Sequence, residues 1–166
     1  VLFRSGRYPH SQARWSEDSG RTWSEPIDLT SIARDLGDST WKASVPGPGG
    51  AIQTRAGRLV VPMWKAPYAN FAVFSDDHGK TWQRSGFVAG GQGGDENQIV
   101  ELADGRLLMD IRQNSGWHRW LAESVDGGRT WGERRPGVPV TPVMCAIEHF
   151  PAGIAGGTDC LLWTGP

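Results

Sequence analysis

One octapeptide occurs three times in this chain of 166 residues, and it constrains the fold more than any other feature. The copies occupy residues 16–23, 75–82 and 124–131, and they share the pattern Ser-x-Asp-x-Gly-x-Thr-Trp. An Asp carboxylate can accept backbone N–H bonds, Gly can take a positive φ, and the two hydroxyl residues can close local hydrogen bonds. The pattern therefore predicts a tight turn, anchored by its Trp, that joins the last two strands of a repeated unit.

A second kind of hairpin is predicted between the octapeptides. Each has a short apolar run, a turn containing Gly and a second apolar run. The predicted pairs are 51–54 with 58–64, 98–102 with 106–111 and, more weakly, 145–150 with 159–163. A further strand-forming run precedes the second and third octapeptides, at 70–74 and 119–123. Two hairpins per unit give four antiparallel strands.

Four strands in a unit of about 50 residues are typical of a β-propeller blade. We therefore predict an all-β fold with whole blades at 50–90 and 95–138, the end of a blade at 1–35 and the start of another at 143–166. The exception is a short helical turn within 28–36. A solenoid, which needs no closure, is the alternative. Because so few blades cannot close a ring, we expect the chain to be an internal part of a longer protein.

Composition excludes two classes of partner. The 17 basic and 18 acidic side chains are intermixed, whereas a nucleic-acid surface needs clustered Lys and Arg. No apolar run approaches the roughly 20 residues that span a membrane. Cys145 and Cys160 lie in apolar runs and are predicted to be small buried hydrophobes, with a disulfide left open. The four histidines lack metal-site spacing, and we expect no metal or cofactor.

The octapeptide is identified as an Asp-box, or bacterial neuraminidase repeat, and the chain resembles the middle of an exo-α-sialidase of the six-bladed propeller type. The Asp-box alone indicates a fold, since similar boxes occur in sorting receptors, other glycosidases and non-enzymes. Residues 95–112 are more specific. They are similar to a sialidase stretch in which a Glu opens one strand and an Arg ends the next. The resemblance places Glu96 at the catalytic glutamate and Arg112 in the carboxylate-binding arginine triad.

These roles are chemically reasonable. A sialoside carries a carboxylate on its anomeric carbon, and the planar guanidinium of Arg112 can bind it with two donors. The family uses a tyrosine nucleophile, which needs a neighbouring base because a free tyrosine has a pKa near 10. Glu96 is expected to be that base. The resemblance thus implies hydrolysis of terminal α-linked sialic acids from sialylated glycans, with retention and through a tyrosyl-enzyme intermediate.

A second stretch, residues 46–53, resembles the family sequence Gly-Pro-Gly-x-Gly-Ile-Gln and departs from it at Ala51, where Gly is usual. Several other side chains are assigned structural roles. We predict that the octapeptide aspartates Asp18, Asp77 and Asp126 form turns, that Glu101 is a strand-surface residue and that Asp104 is a turn residue. Trp41, Trp64 and Trp117 are predicted to pack in the core, with stacking against a sugar as the alternative.

Other parts of the family site are expected outside this chain. These are the acid/base aspartate, the nucleophilic tyrosine and the two remaining triad arginines; Tyr8 and Tyr68 occupy none of these places. We therefore expect the chain alone to be inactive. The alternative functions are a non-catalytic Asp-box propeller that binds glycans or proteins, and another glycosidase on the same fold. A glycan substrate favours a secreted or periplasmic location.

Overall fold

A computed structural model describes residues 10–91, 93–153 and 157–166, so Tyr8 lies outside the described residues. These ranges form antiparallel sheets joined by turns. A first, two-stranded sheet pairs β1 (Gln12–Ala13) with β2 (Ile27–Asp28). One helical turn, α1 (Thr30–Ala33), follows and confirms the short helix predicted within 28–36. No helix in the described ranges has the length and apolar character needed to cross a membrane.

The second sheet carries the middle octapeptide. Its strands are β3 (Ala43–Pro46), β4 (Ile52–Gln53), β5 (Leu59–Ala66), β6 (Ala69–Ser75) and β7 (Gln83–Arg84). The order is β3-β5-β6-β7, and β4 also pairs with β5. The sheet therefore includes a strand, β3, that precedes the range 50–90 expected for this blade.

The third sheet has four strands in sequential order. They are β8 (Gly94–Glu101), β9 (Leu107–Gln113), β10 (Trp120–Ser124) and β11 (Arg135–Pro136). A fourth sheet pairs β12 (Ala146–Phe150) with β13 (Cys160–Thr164). The three hairpins predicted between and after the octapeptides are thereby confirmed.

The third sheet is covered on both faces. Alternate side chains of a strand point to opposite sides of a sheet, so neighbouring residues pack against different partners. On one face Ile99 and Met109 are buried against Val60 and Phe74 of the second sheet. On the other face Val100 and Leu108 pack against Ile147 of β12. The second, third and fourth sheets thus stack face to face in chain order.

The three tryptophans predicted to pack in the core differ in their exposure. Trp41 and Trp64 are buried, which confirms their predicted place in the core. Trp117 is 73% exposed, so the prediction for this residue is wrong. It lies in the loop between β9 and β10, where the described residues form no apolar neighbour sheet to cover it.

The octapeptides form the predicted turn, as the middle copy shows. Asp77 accepts hydrogen bonds from the Thr81 N–H at 2.8 Å and the Thr81 hydroxyl at 2.7 Å, while Ser75 Oγ accepts the Gly79 N–H at 2.8 Å. Gly79 has a φ of +85°, which favours glycine. The other two copies repeat these bonds. In each copy the Trp ring lies against the turn glycine, and the predicted roles of the three aspartates are confirmed.

These turns predict a loss of stability in acid. The hydrogen bonds from Thr81 and Ser75 lower the pKa of Asp77 from 3.8 to about 2, and Asp18 and Asp126 behave alike. Since the folded pKa lies below the unfolded value, the stabilisation is complete above about pH 4 and is lost as the pH falls towards 2. We expect Asp77→Asn to lower the thermal midpoint of the protein near pH 7, with the difference narrowing towards pH 2.

The measurement is thermal unfolding of the complete protein that carries this chain, followed across that pH range. Glu17→Gln is the matched control, since it is an exposed carboxylate at a variable octapeptide position. The control is expected to leave the midpoint unchanged. A difference between Asp77→Asn and the unmodified protein that stays constant down to pH 2 would contradict the assignment.

Candidate active site

The antiparallel pairing of β8 and β9 brings Glu96 and Arg112 together. The start of β8 lies beside the end of β9, with Gly94 opposite Gln113. The register is irregular between Gly94 and Asn97, and such a bulge redirects side chains at a strand end. Arg112 Nη1 donates a hydrogen bond to Glu96 Oε2 at 2.6 Å. The two residues singled out by the sequence thus form one ion pair.

The face of β9 that carries Arg112 is buried at the start of the strand and becomes partly exposed to solvent at its end. Leu108 is buried against the fourth sheet, and Asp110 is buried in an ion pair with Arg119. Two residues further, the side chain of Arg112 is 31% exposed, and that of Glu96 is 28% exposed. The pair therefore lies where the packed interface between sheets opens towards solvent.

Arg112 is held from two further sides. Its Nε donates to the carbonyl of Pro142 at 3.0 Å and lies 3.8 Å from Asp95 Oδ1. Burial acts to lower the pKa of Arg112, but the hydrogen bond to Glu96 and the negative charges of Asp95 and Glu96 raise it above its ordinary value. Arg112 is therefore a permanent cation. Nη2 makes no hydrogen bond within the described ranges, which leaves its N–H groups for an anionic ligand.

Asp95 is a site residue that the sequence reasoning missed. It is buried, its Oδ1 accepts the Glu96 N–H at 2.8 Å, and its Oδ2 accepts from Asn114 Nδ2 at 3.2 Å. Burial raises the pKa of Asp95, and the charge of Arg112 opposes that rise. Asn70 also binds its backbone carbonyl, at 2.6 Å. Asp95 thus stabilises the bulge that positions Glu96. In the sequence, the run of three polar residues after a Gly-rich loop could have indicated that Asp95 belongs to the site.

Tyr68 lies beside the same pair. Its backbone carbonyl accepts the Gly93 N–H at 3.0 Å, and its ring stacks on Trp64 with centroids 5.9 Å apart. Its electrostatic interaction with Arg112 is the smallest of the contributions that raise the pKa of that arginine. The half-exposed ring of Tyr68 therefore borders the site, a position that its place in the sequence did not indicate.

The glycines of residues 46–50 explain the Gly-Pro-Gly pattern. A Cβ on Gly47 would lie 2.1 Å from the Asn97 carbonyl oxygen, and one on Gly49 would lie 2.5 Å from Gln98 Cγ. The segment thus packs directly on the backbone of β8. Ala51, the departure from the family pattern, is exposed and has room for its methyl group.

The remaining acidic candidates have structural partners. Glu101 binds Arg55 at the other end of β8, and Asp104 accepts hydrogen bonds from Arg106 within its turn, so both predictions are confirmed. Cys145 is buried, and Cys160 is only partly so; neither forms a disulfide. Among the described residues no group of three or more His, Cys, Asp or Glu side chains could hold a metal ion.

Stacked antiparallel sheets with a repeated Asp-centred turn, and an accessible arginine–glutamate pair at the end of two strands, define a protein of the Asp-box repeat class. The family described as BNR repeat-like domain matches residues 4–158, and the chain belongs to that family.

Several proteins similar to this chain are named sialidases. It is 36% identical over 132 residues to a sialidase of Micromonospora viridifaciens, which covers 74% of the chain and 20% of that protein. It is 31% identical over 160 residues to a sialidase of Bacteroides fragilis, covering 91% of the chain and 28% of that protein. A solved structure, Hadza microbial sialidase Hz136, has a TM-score of 0.78 and 32% identity over 93% of the chain and 31% of that protein. The chain thus spans less than a third of the length of these relatives.

Proposed function

We propose that the complete protein carrying this chain is an exo-α-sialidase, which hydrolyses terminal α-linked sialic acids with retention through a tyrosyl-enzyme intermediate. The observation that supports this most is the Arg112–Glu96 pair, joined at 2.6 Å and open to solvent, in a chain similar to sialidases over most of its length. The six-bladed propeller expected from the sequence is part of the same proposal.

Arg112 would bind the carboxylate of the sialic acid. Its Nε and Nη1 are engaged by Pro142 and Glu96, so the guanidinium has one orientation and offers Nη2 to the substrate. A fixed cation in a partly desolvated site stabilises an anion better than a mobile one in water. Because Arg112 offers only Nη2, the remaining triad arginines would supply the other donors.

Glu96 would act as the base that activates the tyrosine nucleophile. A phenol is a weak nucleophile until a neighbouring group takes its proton. The bulge, the hydrogen bond from Arg112 and the support of Asp95 hold the Glu96 carboxylate in one place, as a general base requires. Tyr68 would border the sugar rather than attack it, since its ring is packed on Trp64.

The chain by itself would bind sialosides weakly and would not turn them over. It brings one arginine to the site, whereas catalysis depends on several groups that stabilise the transition state together. The acid/base aspartate and the nucleophile would come from the flanking sequence.

Release of a fluorophore from a synthetic α-sialoside by the complete protein tests the proposal. Release that is inhibited by the dehydrated analogue of sialic acid, with the α-anomer of the free sugar as first product by NMR, would support a retaining sialidase. A folded protein that releases nothing would overturn the proposal. Glycan binding without release would instead indicate a propeller that recognises sugars, and activity on other glycosides would indicate a different glycosidase.

A further inference from the structure

We propose that Arg119 is a positioning residue: together with Asp110 it fixes the bend at residues 141–143, and the Pro142 carbonyl of this bend orients Arg112. This inference rests on the proposed function for its effect on catalysis. The contacts themselves are independent of it.

Arg119 and Asp110 form an ion pair at the interface between the third and fourth sheets. Arg119 is 1% exposed and Asp110 is 0% exposed, and Arg119 Nε donates to Asp110 Oδ1 at 2.9 Å. Burial raises the pKa of Asp110, and Arg119 opposes that rise. Arg119 Nη2 is buried without a hydrogen-bond partner in the described ranges. Buried charge pairs often contribute little to stability, and one with an unsatisfied donor contributes less still. Stability alone does not explain this pair.

A second contact of Arg119 connects it to the candidate active site. Arg119 Nη1 donates to the carbonyl of Val143 at 2.6 Å, and Arg112 Nε donates to the adjacent carbonyl, that of Pro142, at 3.0 Å. Pro142 and Val143 lie in a bend between β11 and β12 rather than in a strand, so no sheet partner holds these carbonyls. Arg112 at the end of β9 and Arg119 just before β10 therefore bind two consecutive carbonyl groups.

The arrangement orients Arg112 without neutralising it. A carbonyl oxygen carries no net charge, so the bond that Arg112 donates to the Pro142 carbonyl fixes the direction of the guanidinium and leaves its positive charge for a substrate. If the bend shifts, Nε loses its acceptor and only Glu96 and Asp95 remain to hold the side chain. Misplacement by about 1 Å is enough to weaken a preorganised site strongly. Arg119 thus acts on the substrate through the bend and Arg112.

The test replaces both members of the pair in the complete protein, as Asp110→Leu with Arg119→Met. Removing Arg119 alone would leave Asp110 as an unpaired buried charge and unfold the protein, whereas apolar replacement of both charges is usually tolerated. We expect a near-normal thermal midpoint and a KM for the α-sialoside raised about tenfold or more, with a smaller change in kcat. Leu108→Met, at the same interface but without contact to the bend, is the control and is expected to leave KM unchanged.

Coupling to Arg112 separates positioning from general damage. In an Arg112→Ala background the apolar pair is expected to raise KM no further, because the residue through which it acts is gone. An unchanged KM in the folded apolar-pair variant, or an equal rise in both backgrounds, would overturn the proposal.

Crystal structures of the unmodified and apolar-pair proteins test the positioning role independently of the proposed function. We expect the hydrogen bond between Arg112 Nε and the Pro142 carbonyl to be lost in the variant. If the bond persists, Arg119 does not position Arg112, whatever the activity. If the bond is lost but the unmodified protein cleaves no sialoside, the positioning role stands and the sialidase proposal fails.

Discussion

Replacing Arg112 by Ala or Glu96 by Gln in the complete protein is expected to lower kcat/KM for an α-sialoside by about a hundredfold or more. Removing a single preorganised donor from an active site commonly costs a factor of 10² to 10³. The two losses differ in form. Arg112 contacts the carboxylate in the bound substrate as well as in the transition state, so its removal is expected to raise KM. Glu96 acts on the nucleophile, so its amide is expected to lower kcat.

Two controls match these substitutions in residue type. Glu101→Gln changes a carboxylate on the same strand that pairs with Arg55, and Arg135→Ala changes an exposed arginine that pairs with Glu123. The arginine of each pair is more than half exposed, and surface pairs of this kind contribute little to stability, so both controls are expected to retain normal kinetics. Steady-state assays with the fluorogenic α-sialoside measure all four variants. Near-normal turnover in Arg112→Ala or Glu96→Gln would show that the site has been placed on the wrong residues.

The parts of the fold predicted from sequence are those whose contacts are local. In each Asp-box the Ser, Asp, Gly and Thr bind one another within four residues, so the pattern contains the whole turn. The hairpins of β4–β5 and β8–β9 are equally local. The register of an antiparallel pair also explains why Glu96 and Arg112 meet, since the start of one strand lies beside the end of the next.

The parts that could not be predicted depend on contacts distant in sequence. Asp95 is held by Asn70, and Arg119 by the carbonyl of Val143; no spacing rule connects such pairs. Strand β3 pairs directly with β5, although β4 lies between these two strands in the sequence. The sheet therefore begins earlier in the chain than the range that local patterning favoured. Burial of Trp117 would have required a covering surface, which is a property of packing and not of the local sequence.

Gly47→Ala is expected to lower the free energy of unfolding strongly. The added methyl carbon would lie 2.1 Å from the Asn97 carbonyl oxygen, far inside van der Waals contact, and that oxygen belongs to the backbone of β8. A flexible side chain could move aside, but a paired strand cannot do so without displacing its neighbours. Overpacking of a filled site usually costs 1–3 kcal/mol and occasionally more, and we expect about 3 kcal/mol here. Thermal or urea unfolding of the complete protein measures it.

Gly86→Ala is the matched control, since a Cβ there would lie 3.9 Å from its nearest neighbour, an ordinary contact, and we expect no comparable loss. The Gly47 variant also bears on the site, because Asn97 ends the bulge that presents Glu96. If Gly47 sets the position of this bulge, the variant should also have altered kinetics. At low temperature, where part of the variant stays folded, we expect that folded fraction to have a reduced kcat and to be inhibited less strongly by the dehydrated analogue. Lost stability with normal kinetics would mean that β9 and Arg112 hold Glu96 unaided, and unchanged stability would contradict the packing of the glycine segment on β8.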